Sequence, residues 1–244
     1  SFLKMLTAKQ GSDFDRCSSE YKNLKQIFPG NVICLLRVLA ESAAMSDRPE
    51  EACEIFDLMM RVDEYAIENL ADFGLILHEK RKVEKLNELV NTCLSINEHK
   101  DTGWLLAAMF CDLKEETEKA KMLVDRVLQM NPANICAHLF KGKLLLLNGQ
   151  GEQALVSFHQ ANILRKDVRS FSLLINAQLA ANKVKEATNS AKECLSLAPR
   201  AATSHVLMGH CFARAPTSQS MGDSIKAYQK ALELDGKSIV AAAS

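Results

Sequence analysis

The chain has 244 residues, and its 30 Lys plus Arg balance its 30 Asp plus Glu, so the net charge is zero. That balance argues against nucleic acid as the main partner, because phosphate neutralisation needs a basic excess, and against a polybasic membrane anchor. No apolar run reaches the ~18 residues of a membrane span, and the N-terminus has no signal-peptide design.

The organising feature is a returning helix. The stretch "EKAKMLVDRVLQMNP" at residues 118–132 is followed 34 residues later by "EQALVSFHQANILRK". A 34-residue period with two antiparallel helices per unit is the tetratricopeptide pattern. Small residues are expected where the two helices cross (positions 8 and 20). Larger apolar residues are expected at positions 24 and 27, facing the next unit, and proline near position 32 stops the second helix.

In chain order, residues 1–32 read as the end of a truncated unit. Cys17, Tyr21, Leu24 and Pro29 fit a second helix whose partner is cut. Residues 33–66 supply Leu36, Leu39, Ala40 and Ala43, then Ala52, Phe56 and Met59. Residues 67–100 supply Leu70, Phe73, Gly74 and Leu77, then Leu86, Val90 and Cys93. Residues 101–134 supply Trp104, Ala107, Ala108 and Cys111, then Ala120, Val124, Val127 and Pro132. Residues 135–167 supply Gly142, Leu145, Ala154, Phe158 and Ala161. Residues 168–201 supply Phe171, Leu174, Ala187, Ala191, Cys194 and Pro199. Residues 202–238 supply Met208, Gly209, Phe212, Ser224, Tyr228 and Ala231, and residues 239–244 start a further unit.

The position-20 residues are spaced 34, 34, 34, 33 and 37 apart. The long last interval is read as a stretched turn, "ARAPTSQSMGDS", with Pro216, Ser218, Ser220 and Gly222 as turn and cap residues. The fold expected is all-α: a right-handed superhelix, or α-solenoid, of stacked helix pairs in a single array. The chain opens inside a helical pattern and closes on "VAAAS", which reads as a piece of a longer protein.

Chemistry is sparse. The eight cysteines include no C-x-x-C pair and fall on helical packing positions, so they read as reduced thiols. The six histidines make no H-E-x-x-H, and His205 and His210 are five apart, a poor spacing for one helical face. Gly149 and Gly151 in "LLNGQGEQA" follow a helix and sit at an intra-unit turn, unlike a phosphate loop. Neither an enzyme nor a cofactor is indicated.

What remains is the concave groove lined by the first helix of each unit. Its early part offers Arg37, Glu41, Glu68, His78 and Glu79. Its late part offers Lys143, Arg169, Asn176, His210 and Arg214, with Leu139, Leu146, Leu179 and Val206 among them. That mildly basic half could hold an extended peptide bearing a carboxylate; equally, it could be ordinary wet surface. The lysine and asparagine clamp of chaperone-tail receptors is absent, because the nearest candidates are Leu139, Lys143 and Leu173.

Several stretches go beyond the generic repeat. They are "DEYAIENLADFGLILHEKRKVEKLNELVNTCLSINEHKDTGW", "AHLFKGKLLLLNGQGEQALVSFHQANIL", "LLINAQLAANKVKEATNSAKE" and "CFARAPTSQSMGDSIKAYQKALELD". With its aromatic-Gly helix, its basic turn, Trp104 opening a unit and the stretched last turn, the chain resembles the subunit 7 family of the anaphase-promoting complex over roughly residues 33–235. The resemblance implies a non-catalytic scaffold of a multi-subunit ubiquitin ligase. Such a scaffold packs with sister tetratricopeptide subunits, acts in mitotic exit and resides mainly in the nucleus, with some in the cytoplasm. It also implies homodimers formed through an N-terminal region that is cut here. A peptide-tail receptor in chaperone or transport work is the alternative.

Overall fold

The computed structural model describes residues 2–28, 32–46, 48–63, 65, 70–215 and 218–234. Among them there are fourteen helices and no strand: α1 (Phe2–Gln10), α2 (Phe14–Ile27), α3 (Val32–Met45), α4 (Pro49–Val62), α5 (Leu70–Glu79), α6 (Val83–Ile96), α7 (Asp101–Leu113), α8 (Thr117–Met130), α9 (Ile135–Leu147), α10 (Gly151–Leu164), α11 (Val168–Ala180), α12 (Val184–Leu197), α13 (Ala202–Arg214) and α14 (Ser218–Leu234). They pack as seven successive pairs, each leaning on the next, which makes an all-α solenoid. No helix of the described residues is long and apolar enough to cross a membrane.

Five of the turns inside pairs use one residue in the left-handed region. Ser12 (φ 50°), Arg81 (51°), Glu115 (66°), Gly149 (73°) and Asn182 (60°) occupy the same place after helices α1, α5, α7, α9 and α11. The backbone turns sharply there, and the next residue opens the second helix; at α2 that residue, Asp13, also caps it by accepting from Arg16 N. Between pairs the chain leaves through an extended residue such as Asp63, Asn97, Asn131 or Arg165, whose N–H still donates to the last turn. Asp101 at the head of α7 accepts from Asn131 Nδ2 (2.6 Å) and Asn134 Nδ2 (2.9 Å) and locks one such joint.

Glycine where paired helices cross is required by contact. A Cβ on Gly142 would lie 2.5 Å from Phe158 Cε1, and one on Gly209 would lie 2.5 Å from Tyr228 Cε1. Phe158 is fully buried and Tyr228 is nearly so. These rings therefore stack on the first helix of their own pair as well as facing onward. Phe56 shows the onward contact, stacking on Phe73 of the next pair at 4.8 Å.

The last pair differs from the reading of the sequence. Helix α14 has 17 residues and begins at Ser218. Ser218, Ser220 and Gly222 are therefore helical, and the extra length lies in the helix rather than in the turn. Nothing in "SQSMGDS" stops a helix, because its one glycine faces open space. Pro216 and residues 239–244 lie outside the described residues. Residues 1–32 carry two helices, of which α1 spans 9 residues.

Helix α11 divides the core. Leu174 and Ala177 join the apolar cluster that runs back to Met5, while Val168, Phe171, Ile175 and Leu179 belong to a second cluster with α12 and α13. The seam between is polar: Ser157, Asn162, Asp167, Arg169, Ser170 and Gln178 are all buried near it. The Asp167 carboxylate caps α11 by accepting from Ser170 N (2.7 Å), and Ser170 Oγ answers to Asp167 N.

Candidate interaction surface

The solenoid curls tightly enough that α5 packs against α9 as well as against its neighbours, and α3 meets α11. The inner face is therefore crossed by side chains of the chain itself. Asp72, inside the apolar run of α5, is only 5% exposed. An unpaired carboxylate there would be costly. Arg165 satisfies it, donating through Nη2 to Asp72 Oδ1 at 3.0 Å and through Nε to Asp167. Burial pushes the Asp72 carboxyl up, but Arg165 outweighs it and the carboxyl ends below its ordinary range. Burial works against the Arg165 charge, and Asp72 and Asp167 hold it firmly protonated.

Two turns further along α5, Glu79 receives two cations. Arg169, 4% exposed, donates to Glu79 Oε1 at 3.0 Å, and Lys143 donates to the same oxygen. Burial raises the Glu79 carboxyl, and Arg169 and Lys143 bring it below normal. Next to it, His78 Nε2 bonds Asp112 Oδ2 at 2.7 Å, with its ring edge-on to Phe140. Burial lowers the His78 pKa more than Asp112 raises it. Lys9 pairs with Glu41 in the same manner between α1 and α3.

The five residues expected to form a peptide groove are thus dispersed. Lys143 and Arg169 converge on Glu79. Asn176 and Arg214 are exposed. His210 is half-buried, edge-on to Tyr228 at 5.8 Å, and burial lowers its pKa. Of the apolar residues expected among them, Leu139, Leu179 and Val206 lie in the core and only Leu146 is exposed. Curvature is the physical reason: inner-face positions of a tight solenoid meet each other before they meet solvent. Glu68 lies outside the described residues. Sequence reasoning missed Asp72, Arg165 and Asp167. An aspartate inside "LADFGLIL" was the available signal, since a carboxylate in a buried helix demands a partner.

Six of the eight cysteines take buried packing roles, and Cys34, expected at a packing position, does not. Cys17, Cys93, Cys111, Cys136, Cys194 and Cys211 are buried, and Cys34 is exposed. Burial pushes the Cys93 and Cys211 thiols up to about 11. Such thiols stay protonated and unreactive near neutral pH. No group of three or more His, Cys, Asp or Glu among the described residues could hold a metal ion.

No family model matches the chain. Anaphase-promoting complex subunit 7 of Arabidopsis thaliana is 28% identical over 217 residues, covering 88% of this chain and 38% of that protein. The Dictyostelium discoideum protein of the same name is 28% identical over 215 residues, covering 87% of this chain and 37% of that protein. The Homo sapiens protein is 23% identical over 172 residues, 70% of this chain and 30% of its own length. The chain thus spans less than two fifths of the curated relatives it matches. Among solved structures, the anaphase-promoting complex hetero-tetramer Cut9–Hcn1 superposes with a TM-score of 0.77 at 17% identity, over 91% of this chain and 42% of that one. That likeness shows the fold: a tetratricopeptide solenoid. Sequence and fold together make this chain a tetratricopeptide homologue of the proteins named anaphase-promoting complex subunit 7.

Proposed function

We propose that the chain is a non-catalytic scaffold and interaction segment of a multi-subunit ubiquitin ligase, packing with sister tetratricopeptide subunits in cell-cycle control and residing in the nucleus. The observation that carries this reading is the 28% identity to a subunit of that assembly, sustained over 88% of the chain. The units 33–66, 67–100, 101–134, 135–167, 168–201 and 202–238 form one array in this reading, supported by the recurring left-handed turn residue. Pairing of two copies uses a region outside this stretch. The outer surface suits a scaffold. Met122, Leu147, Val156 and Met221 are each 70% or more exposed, as partner-facing side chains would be.

The peptide-receptor reading weakens because Lys143 and Arg169, its two strongest inner-face cations, already bind Glu79. The test is a tagged pull-down of the full-length protein from dividing cells, with mass spectrometry of the co-purifying chains. Cullin and RING subunits at near-equal amounts support the scaffold. A protein that runs alone, or one that brings down only chaperones, overturns it.

A further inference from the structure

Grooves open on the outer face where the second helices of neighbouring pairs lie side by side. Two of them share three lining places of the repeat: Asp57 with His159, Phe73 with Leu174, and Lys85 with Glu186. One lies between α4 and α6 over Phe73; the other lies between α10 and α12 over Leu174 and holds about 320 Å³. Phe73 and Leu174 each precede the left-handed turn residue of their pair by eight places. An ion pair, Lys183 with Glu152 (2.8 Å), lines the second groove.

The floors differ. In the first groove the chain fills its own space: Lys85 lays its ammonium over the Phe73 ring (5.3 Å) and pairs with Asp57. Lys85 stands three residues after its helix cap, and the residue at that place in α12 is Glu186. Asp57 stands nine residues after its cap, and the residue at that place in α10 is His159. The cation has become a carboxylate; Glu186 makes no ion pair among the described residues, and Lys183, whose charge it favours from a distance, is bonded to Glu152. Gln178 adds a second difference. It stands four places before its turn residue, where the other pairs have Ala8, Leu77, Cys111 and Leu145, all buried and apolar. Gln178 is 6% exposed, lines the groove, and its Oε1 accepts no hydrogen bond. An orphaned buried acceptor at a place the repeat reserves for an apolar side chain calls for a donor.

We infer that the groove between α10 and α12 receives a lysine or arginine side chain of a partner protein. The aliphatic stem lies along Leu155, Val156 and Leu174, and the charged head is shared by Glu186 and the Gln178 amide. A long apolar stem ending in several donors is the shape and charge that Lys85 supplies to the first groove from within. Val156, 70% exposed at the lip, gives the stem its first contact. The Gln178 amide turns about its broad, two-fold terminal torsion to offer its oxygen. The inference rests on the chain being an interaction segment, and it names the chemistry one of its contacts takes.

The test uses the chain with N-acetyl-arginine amide as probe, N-acetyl-norleucine amide as the uncharged control, and methyl NMR of Leu155, Val156 and Leu174 as readout. Saturable shifts with the arginine probe, at least about tenfold weaker with norleucine, are expected. Glu186→Lys, which places a cation where Lys85 stands in the first groove, and Gln178→Leu, which restores the apolar residue of the other pairs, should each abolish saturation while leaving the helical spectrum unchanged. Equal binding of the two probes, no saturable binding, or unchanged binding in Glu186→Lys overturns the inference. Because this readout needs no assembly, co-purification with the ligase alongside a silent groove would refute the groove alone.

Discussion

Replacing Gly142 by Ala tests whether helix crossing sets the residue sizes. The new Cβ would sit 2.5 Å from Phe158 Cε1 and 2.8 Å from Cδ1 and Cζ. Carbon atoms rest at about 3.5–4.0 Å, so the ring or the helix must give by roughly 1 Å. Phe158 is fully buried, with no free side to move into. Overpacking of this kind costs about 1–3 kcal/mol. Alanine returns about 1 kcal/mol through helix propensity. The net is a loss of about 1 kcal/mol. Gly222→Ala is the control, since its Cβ meets nothing within 4 Å; it should gain up to about 1 kcal/mol. Urea unfolding followed by circular dichroism should lower the midpoint for the first variant and raise it for the second. Adding Phe158→Leu should cost less on the Gly142→Ala background than alone, a coupling of about 1 kcal/mol. If Gly142→Ala raises the midpoint as Gly222→Ala does, the crossing argument is wrong.

Acid should loosen the inner face. The Asp72 carboxyl sits below its ordinary value when folded. Its contribution is therefore present above the unfolded value of about 4 and lost as pH falls toward the folded one. Asp72→Asn should lose about 2 kcal/mol at pH 7, because it removes one of the two carboxylates that hold Arg165, and show a flatter decline from pH 4 to pH 2 than the parent in urea midpoints. Glu115→Gly should stabilise by about 1 kcal/mol, because Glu115 holds φ at 66°, while Gly149→Ala should destabilise by a similar amount; thermal melts decide both. A thiol reagent at pH 8 should label Cys34 at once and Cys93 and Cys211 only on unfolding, since both are buried and pushed up to about 11. Rapid labelling of all three would contradict the packing.

The pairing of small and large residues was legible in the chain because it is local. Gly142 and Phe158 lie 16 residues apart, within one helix pair, and the period repeats them. The pattern even survives reversal: at the places of Gly142 and Phe158, the α11–α12 pair carries Ile175 and Ala191, both fully buried. The left-handed turns were less legible, because Arg81 and Glu115 stand where only Gly149 and Asn182 advertise a tight turn. The stretch before α14 misled, since serines and a glycine that read as a turn extend a helix once Tyr228 and Ala231 are anchored in the core.

The period and the all-α class follow from residues that meet within about 34 positions, so the amino-acid order alone determined them. Curvature could not be read that way. It depends on small angles added over several pairs, and those angles bring Glu79 to Lys143 across 64 residues and to Arg169 across 90. In sequence these are scattered surface charges. In the folded chain they are partners in a half-buried network, which only the accumulated turn of the solenoid could bring about.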